Sequence, residues 1–161
     1  MSLSLNAALI TLSEHDAAAE MAADIEHGLG ASPKSIPSKY FYDARGGELF
    51  ASITQLPEYY LTRAEHAILR AHAIEIMSLT EADEVFEVGS GSAEKIGLLL
   101  QHGGAHAVSA YACVDVNAVA LEHAAKDMMQ RFPGVDVTSY VGDFVSDLGK
   151  VPPAEQGRRL V

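Results

Sequence analysis

The sequence has one cysteine and few basic residues. Cys113 alone cannot form an internal disulfide, which favours a reducing compartment, so we expect a cytoplasmic protein. The count of 11 Lys and Arg against 22 Asp and Glu gives a formal net charge of −11 at pH 7. Nucleic acids and anionic membranes attract basic proteins. The acidic charge therefore argues against both kinds of partner.

Long apolar runs are also missing. No segment approaches the ~20 apolar residues that a membrane-spanning helix needs. The N-terminus lacks the basic start and apolar core of a secretion signal, because Glu14, Asp16 and Glu20 come early. We identify no candidate metal ligands. A hydrophobic share of 48% in 161 residues is typical of one globular unit with its own core.

The sequence pattern of residues 1–83 predicts a helical cap at the N-terminus. Ser13–Glu26 reads as a short helix with Ser13 as its N-cap, followed by Gly28 and Gly30. The stretch "ASPKSIPSKYFYDARGGELF" predicts an ordered but irregular segment, because prolines and a glycine pair interrupt its aromatics. A second helix follows in "LPEYYLTRAEHAILRAHAIEIMSL", where Thr62 and Glu65 form a capping box.

From residue 84 onward, short apolar runs alternate with helical patterns. The predicted strands are Val85–Val88, Ala110–Val114, Val135–Val141 and the start of one at Arg159–Val161, and the predicted helices are Ser92–Gln101 and Asn117–Arg131. This alternation with short loops indicates right-handed crossovers and a doubly wound parallel sheet. We expect an α/β fold in which residues 84–161 form the first half of a ligand-binding domain behind the cap of residues 1–83.

The first strand–helix turn of such a sheet approaches the ligand. Here that turn reads "EVGSGSAEK". Gly89 and Gly91 allow the backbone to come close to a ligand, and the helix from Ser92 directs N–H donors towards it. A lone G-x-G pair also fits a simple tight turn, and that alternative stays open.

Two acidic residues follow the next two strands. Asp115 closes the second strand, where an acid accepts hydrogen bonds from ribose hydroxyls. Asp143 follows the third strand in "YVGDF", where its carboxylate suits an adenine amino group and Phe144 can stack on the ring. The alternatives are that Asp115 caps the helix from Asn117 and that Asp143 starts a turn. Since all three sites share one sheet edge, they predict an adenosine pocket.

The charges favour a sulfonium over a dinucleotide. The dinucleotide fingerprint needs a third glycine, and Glu94 occupies that position. Carboxylates at Glu87 and Glu94 repel a pyrophosphate but suit a cation. A Walker-type phosphate loop is absent, since Lys95 follows no such glycine spacing. The predicted cofactor is therefore S-adenosylmethionine, which has a positive sulfur and no phosphate.

The sequence also resembles a known family. "PKSIPSKYFYDARGGELFASITQLPEYYLTRAE", followed by "EVGSGSAEK", "VDV" and "GDF", is similar to the histidine-specific S-adenosylmethionine-dependent methyltransferases of ergothioneine biosynthesis, the histidine N-alpha-methyltransferase group. The likeness covers roughly Pro33 to Val161. It implies a class I methyltransferase (Rossmann-like) fold, and three methyl transfers to the α-amine of free L-histidine as small-molecule substrate.

The resemblance also implies residue roles. It implies that the methyl donor is bound by Gly89, Lys95, Asp115, Asp143 and Phe144. Tyr42 of "FYDARG" is implied near the transferred methyl group, as a catalytic residue, and Tyr59 of "PEYY" on the substrate imidazole. From the residues alone, Tyr42 and Tyr59 also fit core tyrosines and Lys95 a surface lysine.

In this family the substrate half lies C-terminal to "GRRLV". We therefore expect a fragment of a longer enzyme or a natural short form, with an incomplete sheet. Val85–Val88 would then lie at an open edge that favours self-association, and the chain alone would not methylate histidine. Two other readings stay open: a class I methyltransferase for another small amine or acid, and a non-catalytic S-adenosylmethionine-binding module.

Overall fold

The computed structural model describes residues 7–13, 17–91, 93–104, 108–155 and 157–161. Within these residues the strands form one parallel sheet in the order β1-β4-β3-β2-β5. The strands are β1 Ala7–Thr11, β2 Glu84–Val88, β3 Ala110–Asp115, β4 Asp136–Val141 and β5 Arg159–Leu160. The helices are α1 Ala17–Gly30, α2 Ala44–Thr54, α3 Leu61–Thr80, α4 Glu94–His102, α5 Ala118–Arg131 and α6 Phe144–Asp147, with 3₁₀ helices at Ser38–Phe41 and Leu148–Lys150.

The predicted α/β fold with a parallel sheet is confirmed. All four predicted strands exist. Strands β2, β3 and β4 are neighbours in the sheet, and successive apolar residues along them pack alternately on its two faces. On one face, Tyr111, Cys113 and Val137 pack against α5. On the other face, Phe86 and Ala112 belong to a smaller cluster. This arrangement is consistent with the class I methyltransferase fold.

Strand β1 is an element that the sequence analysis missed. It pairs with β4 in parallel from Ala7 opposite Val137 to Thr11 opposite Val141. Every residue of β1 is exposed, so the strand shows no alternation of buried and exposed positions. A short edge strand of this kind gives little periodic signal.

Helix α2 corrects the prediction of an irregular segment. Asp43 caps this helix by accepting a hydrogen bond from the Gly46 N–H at 2.7 Å. The glycine pair favours an irregular segment by its composition, but Gly46 lies inside the helix, where it is needed for packing. A Cβ on Gly46 would lie 1.6 Å from the carbonyl oxygen of Phe41. The glycine therefore lets the helix start against the preceding turn.

The predicted helix starts also need correction. The capping box at Thr62 and Glu65 is wrong, because α3 begins at Leu61 and its N-cap Tyr60 makes no side-chain capping bond. Ser13 is not the cap of α1, because this helix begins at Ala17, and the Ser13 hydroxyl donates to Asp147 instead. The helix predicted from Ser92 begins at Glu94, and Ser92 itself lies outside the described residues. Asn117 caps α5 by accepting from the Ala120 N–H at 3.1 Å.

Candidate functional site

The loop after β2 has the backbone conformation that glycines permit. Gly89 has φ 73° and Gly91 has φ 51°, and open space surrounds the Cβ position of each. The Gly89 N–H donates to the Val114 carbonyl at 2.8 Å, which fixes the loop to β3. Ala93 also adopts a left-handed conformation, with φ 53°, directly before α4. The loop is therefore a tight turn with its glycines exposed to an approaching ligand.

Asp115 joins this loop to the end of β3. Its Oδ2 accepts a hydrogen bond from the Gly91 N–H at 3.3 Å, and its Oδ1 accepts one from the Asn117 N–H at 2.9 Å. The backbone carbonyl of Asp115 accepts from the Gly142 N–H at 3.1 Å. The turns after β2, β3 and β4 therefore meet at the same edge of the sheet, as the sequence predicted.

Asp143 and Phe144 lie in the third of these turns. Asp143 is the N-cap of α6, and its Oδ1 accepts from the Val145 N–H at 2.8 Å. Phe144 is 47% exposed, so a planar ligand can reach this residue from solvent. The capping bond agrees with the alternative that Asp143 starts a turn. It does not test the adenine role, which stays a prediction.

A cavity of about 230 Å³ lies between α3, the end of β2 and α4. Its lining residues are Glu65, Leu69, Glu87, Val88, Gly89, Lys95, Ile96 and Leu99. Lys95 and Gly89 therefore share one cavity. The Lys95 ammonium lies 3.2 Å from a carboxylate oxygen of Glu65 on α3, and about half of each side chain is exposed. This surface ion pair is what the alternative of a surface lysine predicts, and donor binding by Lys95 stays a prediction.

Glu87 is the largely buried carboxyl group of the cavity. The Tyr111 hydroxyl donates to its Oε2 at 2.9 Å. Burial disfavours the charged form and raises the pKa of Glu87 to about 7. Tyr111 is itself fully buried, and sequence reasoning missed this pair. The alternation of side chains along β2 and β3 could have indicated this pair, because Glu87 and Tyr111 point to the same face of the sheet.

Ser90 is a second functional candidate that sequence reasoning missed. It lies between the two glycines of the loop, and only 6% of its surface is exposed. Its Oγ makes no hydrogen bond of good geometry, although an interaction with the Cys113 thiol opposes the rise in pKa that burial causes there. Buried hydroxyls normally have partners. A polar ligand in the loop would supply one.

The structure does not bring Tyr42 and Tyr59 to the glycine loop through any described hydrogen bond or ring contact. Tyr42 is the C-cap residue of the first 3₁₀ helix and is 59% exposed, so it is not a core tyrosine. Tyr59 is partly buried, and its ring meets that of Phe50 edge-on with centroids 6.0 Å apart. The roles that the resemblance implies for both residues stay predictions.

Two kinds of feature are missing from the described residues. No helix among them has the length and apolar content needed to cross a membrane. No group of three or more His, Cys, Asp or Glu side chains in the same part of the chain is arranged to hold a metal ion.

Comparison with known proteins gives the family. The family profile described as histidine-specific methyltransferase, SAM-dependent, matches residues 21–161. The chain is 44% identical over 148 residues to the histidine N-alpha-methyltransferase of Mycolicibacterium smegmatis, covering 91% of this chain and 46% of that protein. It is 43% identical over 140 residues to the protein of the same name from Mycobacterium tuberculosis, covering 85% of this chain and 42% of that one.

A third relative comes from a fungus. The ergothioneine biosynthesis protein 1 of Neurospora crassa is 43% identical over 70 residues, which is 43% of this chain and 8% of that protein. The chain spans under half the length of each of these three relatives. The profile nevertheless covers nearly the whole chain and includes the glycine loop and all three turns of the sheet edge. The chain therefore belongs to the family of histidine-specific, S-adenosylmethionine-dependent methyltransferases.

Proposed function

We propose that this chain binds S-adenosylmethionine at the edge formed by the turns after β2, β3 and β4, as the donor half of a histidine N-alpha-methyltransferase. One observation carries the proposal. The glycine loop, Asp115 and the Asp143 turn are hydrogen-bonded into one edge, next to a cavity that carries more carboxylates than cations. The names of the relatives support histidine as substrate and ergothioneine biosynthesis as the pathway.

The residues present fit this donor. Open space at Gly89 and Gly91 leaves room for a ligand beside the loop. Glu65 and Glu87 line the cavity with two carboxyl groups against the single ammonium of Lys95, and a positive sulfur bound nearby would favour the charged form of Glu87. We assign the ribose to Asp115, the adenine to the Asp143 turn with Phe144, and the donor's carboxylate to Lys95.

The chemistry asks mainly for positioning. S-adenosylmethionine supplies an electrophilic methyl group on its sulfonium, and alignment with the attacking amine lowers the barrier by up to ~7–11 kcal/mol in favourable systems. The α-amine must be neutral to attack, so a polar group must accept its proton. We assign Tyr59 to the imidazole and Tyr42 to the methyl-bearing end, where an aromatic face stabilises a quaternary ammonium by about 0.5–2 kcal/mol.

Two titrations test the proposal. Calorimetry of the chain with S-adenosylmethionine should give saturable binding with one site, and adenosine should compete for it. NADH and ATP are the matched controls, because their phosphates meet a carboxylate-rich edge, and we expect no binding of either. Absence of heat with S-adenosylmethionine, or equal binding of ATP, would contradict the donor site.

Substrate identity needs a separate measurement. Labelled S-adenosylmethionine is incubated with L-histidine or with other small amines and acids, using a protein that spans the full length of the relatives. Label in histidine alone supports the proposal. Label in another amine instead favours a methyltransferase of different specificity, and donor binding without transfer to any acceptor favours a non-catalytic binding module.

Three further properties are part of the proposal. The buried thiol of Cys113 supports a reducing, cytoplasmic setting. A division near residue 83 separates a substrate-side segment from the donor-binding segment.

Self-association is proposed at β2, because β5 pairs with Glu84 and Val85 only, and no described strand pairs with the rest of β2 on that side.

A further inference from the structure

A buried carboxylate lies behind the turn that carries Asp143 and Phe144. Asp147 is the last residue of α6 and has no exposed surface. Its Oδ2 accepts hydrogen bonds from the Asp143 N–H at 3.0 Å and from the Ser13 hydroxyl at 2.9 Å. Its Oδ1 accepts from the Lys150 ammonium at 2.8 Å. One buried charge therefore connects the turn after β4, the segment after β1 and the second 3₁₀ helix.

Close packing holds this carboxylate in place. A Cβ on Gly142 would lie 3.0 Å from Oδ2 of Asp147 and 3.1 Å from Cδ1 of Leu12. Glycine at this position lets both side chains close onto the turn. The Leu12 N–H donates to the Val141 carbonyl at 3.0 Å, which continues the β1–β4 pairing up to the residue before Ser13. The sheet itself therefore sets the position of the Ser13 hydroxyl.

We infer that Asp147 is a positioning residue for the adenine-binding pair Asp143 and Phe144, and that Ser13 holds Asp147 in place from the segment after β1. The inference rests on the proposed donor site. The direction of the Asp143 carboxylate depends on the backbone at Asp143, because its Oδ1 is tied to the Val145 N–H two residues on. The bond from the Asp143 N–H to Asp147 fixes that backbone. Hydrogen bonds to a buried charge are the strong ones.

Base discrimination measures whether the Asp143 carboxylate points correctly. Adenine offers a 6-amino donor to a carboxylate, whereas hypoxanthine offers a 6-oxo acceptor that the carboxylate repels. A well-placed Asp143 should therefore bind S-adenosylhomocysteine much more tightly than S-inosylhomocysteine. A general loss of stability lowers both affinities together. The ratio of the two dissociation constants thus isolates positioning from folding.

The experiment compares five forms of the full chain by calorimetry with both ligands: wild type, Ser13→Ala, Asp147→Ala, Asp147→Asn and Ser109→Ala. We expect the ratio to fall about three- to tenfold in Ser13→Ala and more than about tenfold in Asp147→Ala. Asp147→Asn should stay within about threefold of wild type, because an amide oxygen still accepts from the Asp143 N–H. Loss of the Asp147 charge in this variant leaves Lys150 without its ion pair, but half of the Lys150 side chain is exposed, so its ammonium can turn to solvent.

Ser109→Ala is the matched control. Its hydroxyl also connects distant segments, by donating to the Asp83 carbonyl at 3.1 Å, but it lies before β3, at the opposite end of that strand from Asp115. We expect the wild-type ratio in this variant. A wild-type ratio in folded Ser13→Ala would overturn the inference. If Asp147→Ala does not fold, Ser13→Ala and Asp147→Asn decide. Wild type that binds neither ligand overturns the proposed donor site itself, which is a different result.

Discussion

Asp115 holds two loops with one carboxylate, since it accepts from Gly91 and from Asn117. It also has the position proposed for the ribose. Replacing it by alanine removes both the loop contacts and the ribose acceptor. We expect Asp115→Ala to weaken S-adenosylmethionine binding by about 1–3 kcal/mol, and Asp115→Asn by less because its amide oxygen still accepts hydrogen bonds.

Calorimetric titration checks this expectation. Asp127→Ala is the control, because Asp127 lies exposed on α5 and pairs with Arg131 one turn away. Donor affinity should not change in that variant. If Asp115→Ala stays folded and binds the donor as wild type does, the ribose assignment is wrong.

Glu87 predicts a pH dependence of stability. Burial raises its pKa from 4.5 to about 7. The unfolded chain loses this proton near pH 4.5 while the folded chain keeps it until about pH 7. Glu87 therefore lowers the free energy of unfolding as pH rises through that window, by up to about 3 kcal/mol at about 1.4 kcal/mol per pKa unit.

Glu87→Gln lacks this proton and keeps an acceptor for the Tyr111 hydroxyl. Urea unfolding between about pH 5 and 8 should show the variant gaining stability over wild type as pH rises. Glu122→Gln, an exposed change on α5, should show no such gain. A constant difference between Glu87→Gln and wild type across this range would contradict the prediction.

At the scale of elements, Gly46 decides how α2 begins. A Cβ at this position meets the Phe41 carbonyl oxygen at 1.6 Å, and a backbone oxygen cannot move aside cheaply. We expect Gly46→Ala to destabilise the chain by roughly 1–3 kcal/mol, because the turn before α2 must shift.

Gly47 is the matched control, since nothing lies within 4 Å of a Cβ there. Gly47→Ala should stabilise the helix by about 0.5–1 kcal/mol, because alanine loses less backbone freedom than glycine. Thermal unfolding of both variants separates the two effects. Equal shifts in the two variants would mean that Gly46 has no packing role.

The elements also show what a sequence can predict. Strands β2, β3 and β4 were predicted because apolar runs alternate with helices, and the meeting of Gly91, Asp115 and Asp143 followed because parallel strands end at one edge. Helix α2 was missed because a glycine pair is unusual inside a helix, and Gly46 serves a contact with the preceding turn that no local pattern shows. The bond from Ser13 to Asp147 joins residues 134 positions apart, and no local pattern encodes it.

At the scale of the whole molecule, the edge beyond β2 is the surface at which we propose self-association. Strand β5 is fastened to β2 by the ion pair of Arg159 with Glu84, whose N···O distance is 2.7 Å, and the Arg159 guanidinium lies 5.0 Å from the Phe86 ring centroid. Pairing stops after Val85, so in the described part of the chain the N–H and C=O groups of the later β2 residues have no strand neighbour on this side. Such groups pair readily with a second chain.

We expect the 161-residue chain to self-associate reversibly through this part of β2. Sedimentation over a range of micromolar concentrations should show a mass that rises with concentration. Val88→Lys places a charge on the open part of the edge and should shift the chain towards monomer, since lysine on an edge strand opposes pairing. Leu9→Lys is the control on the opposite edge strand, β1, and should leave the association unchanged. A monomer at every concentration, or an equal effect of both lysines, would exclude β2 as the contact.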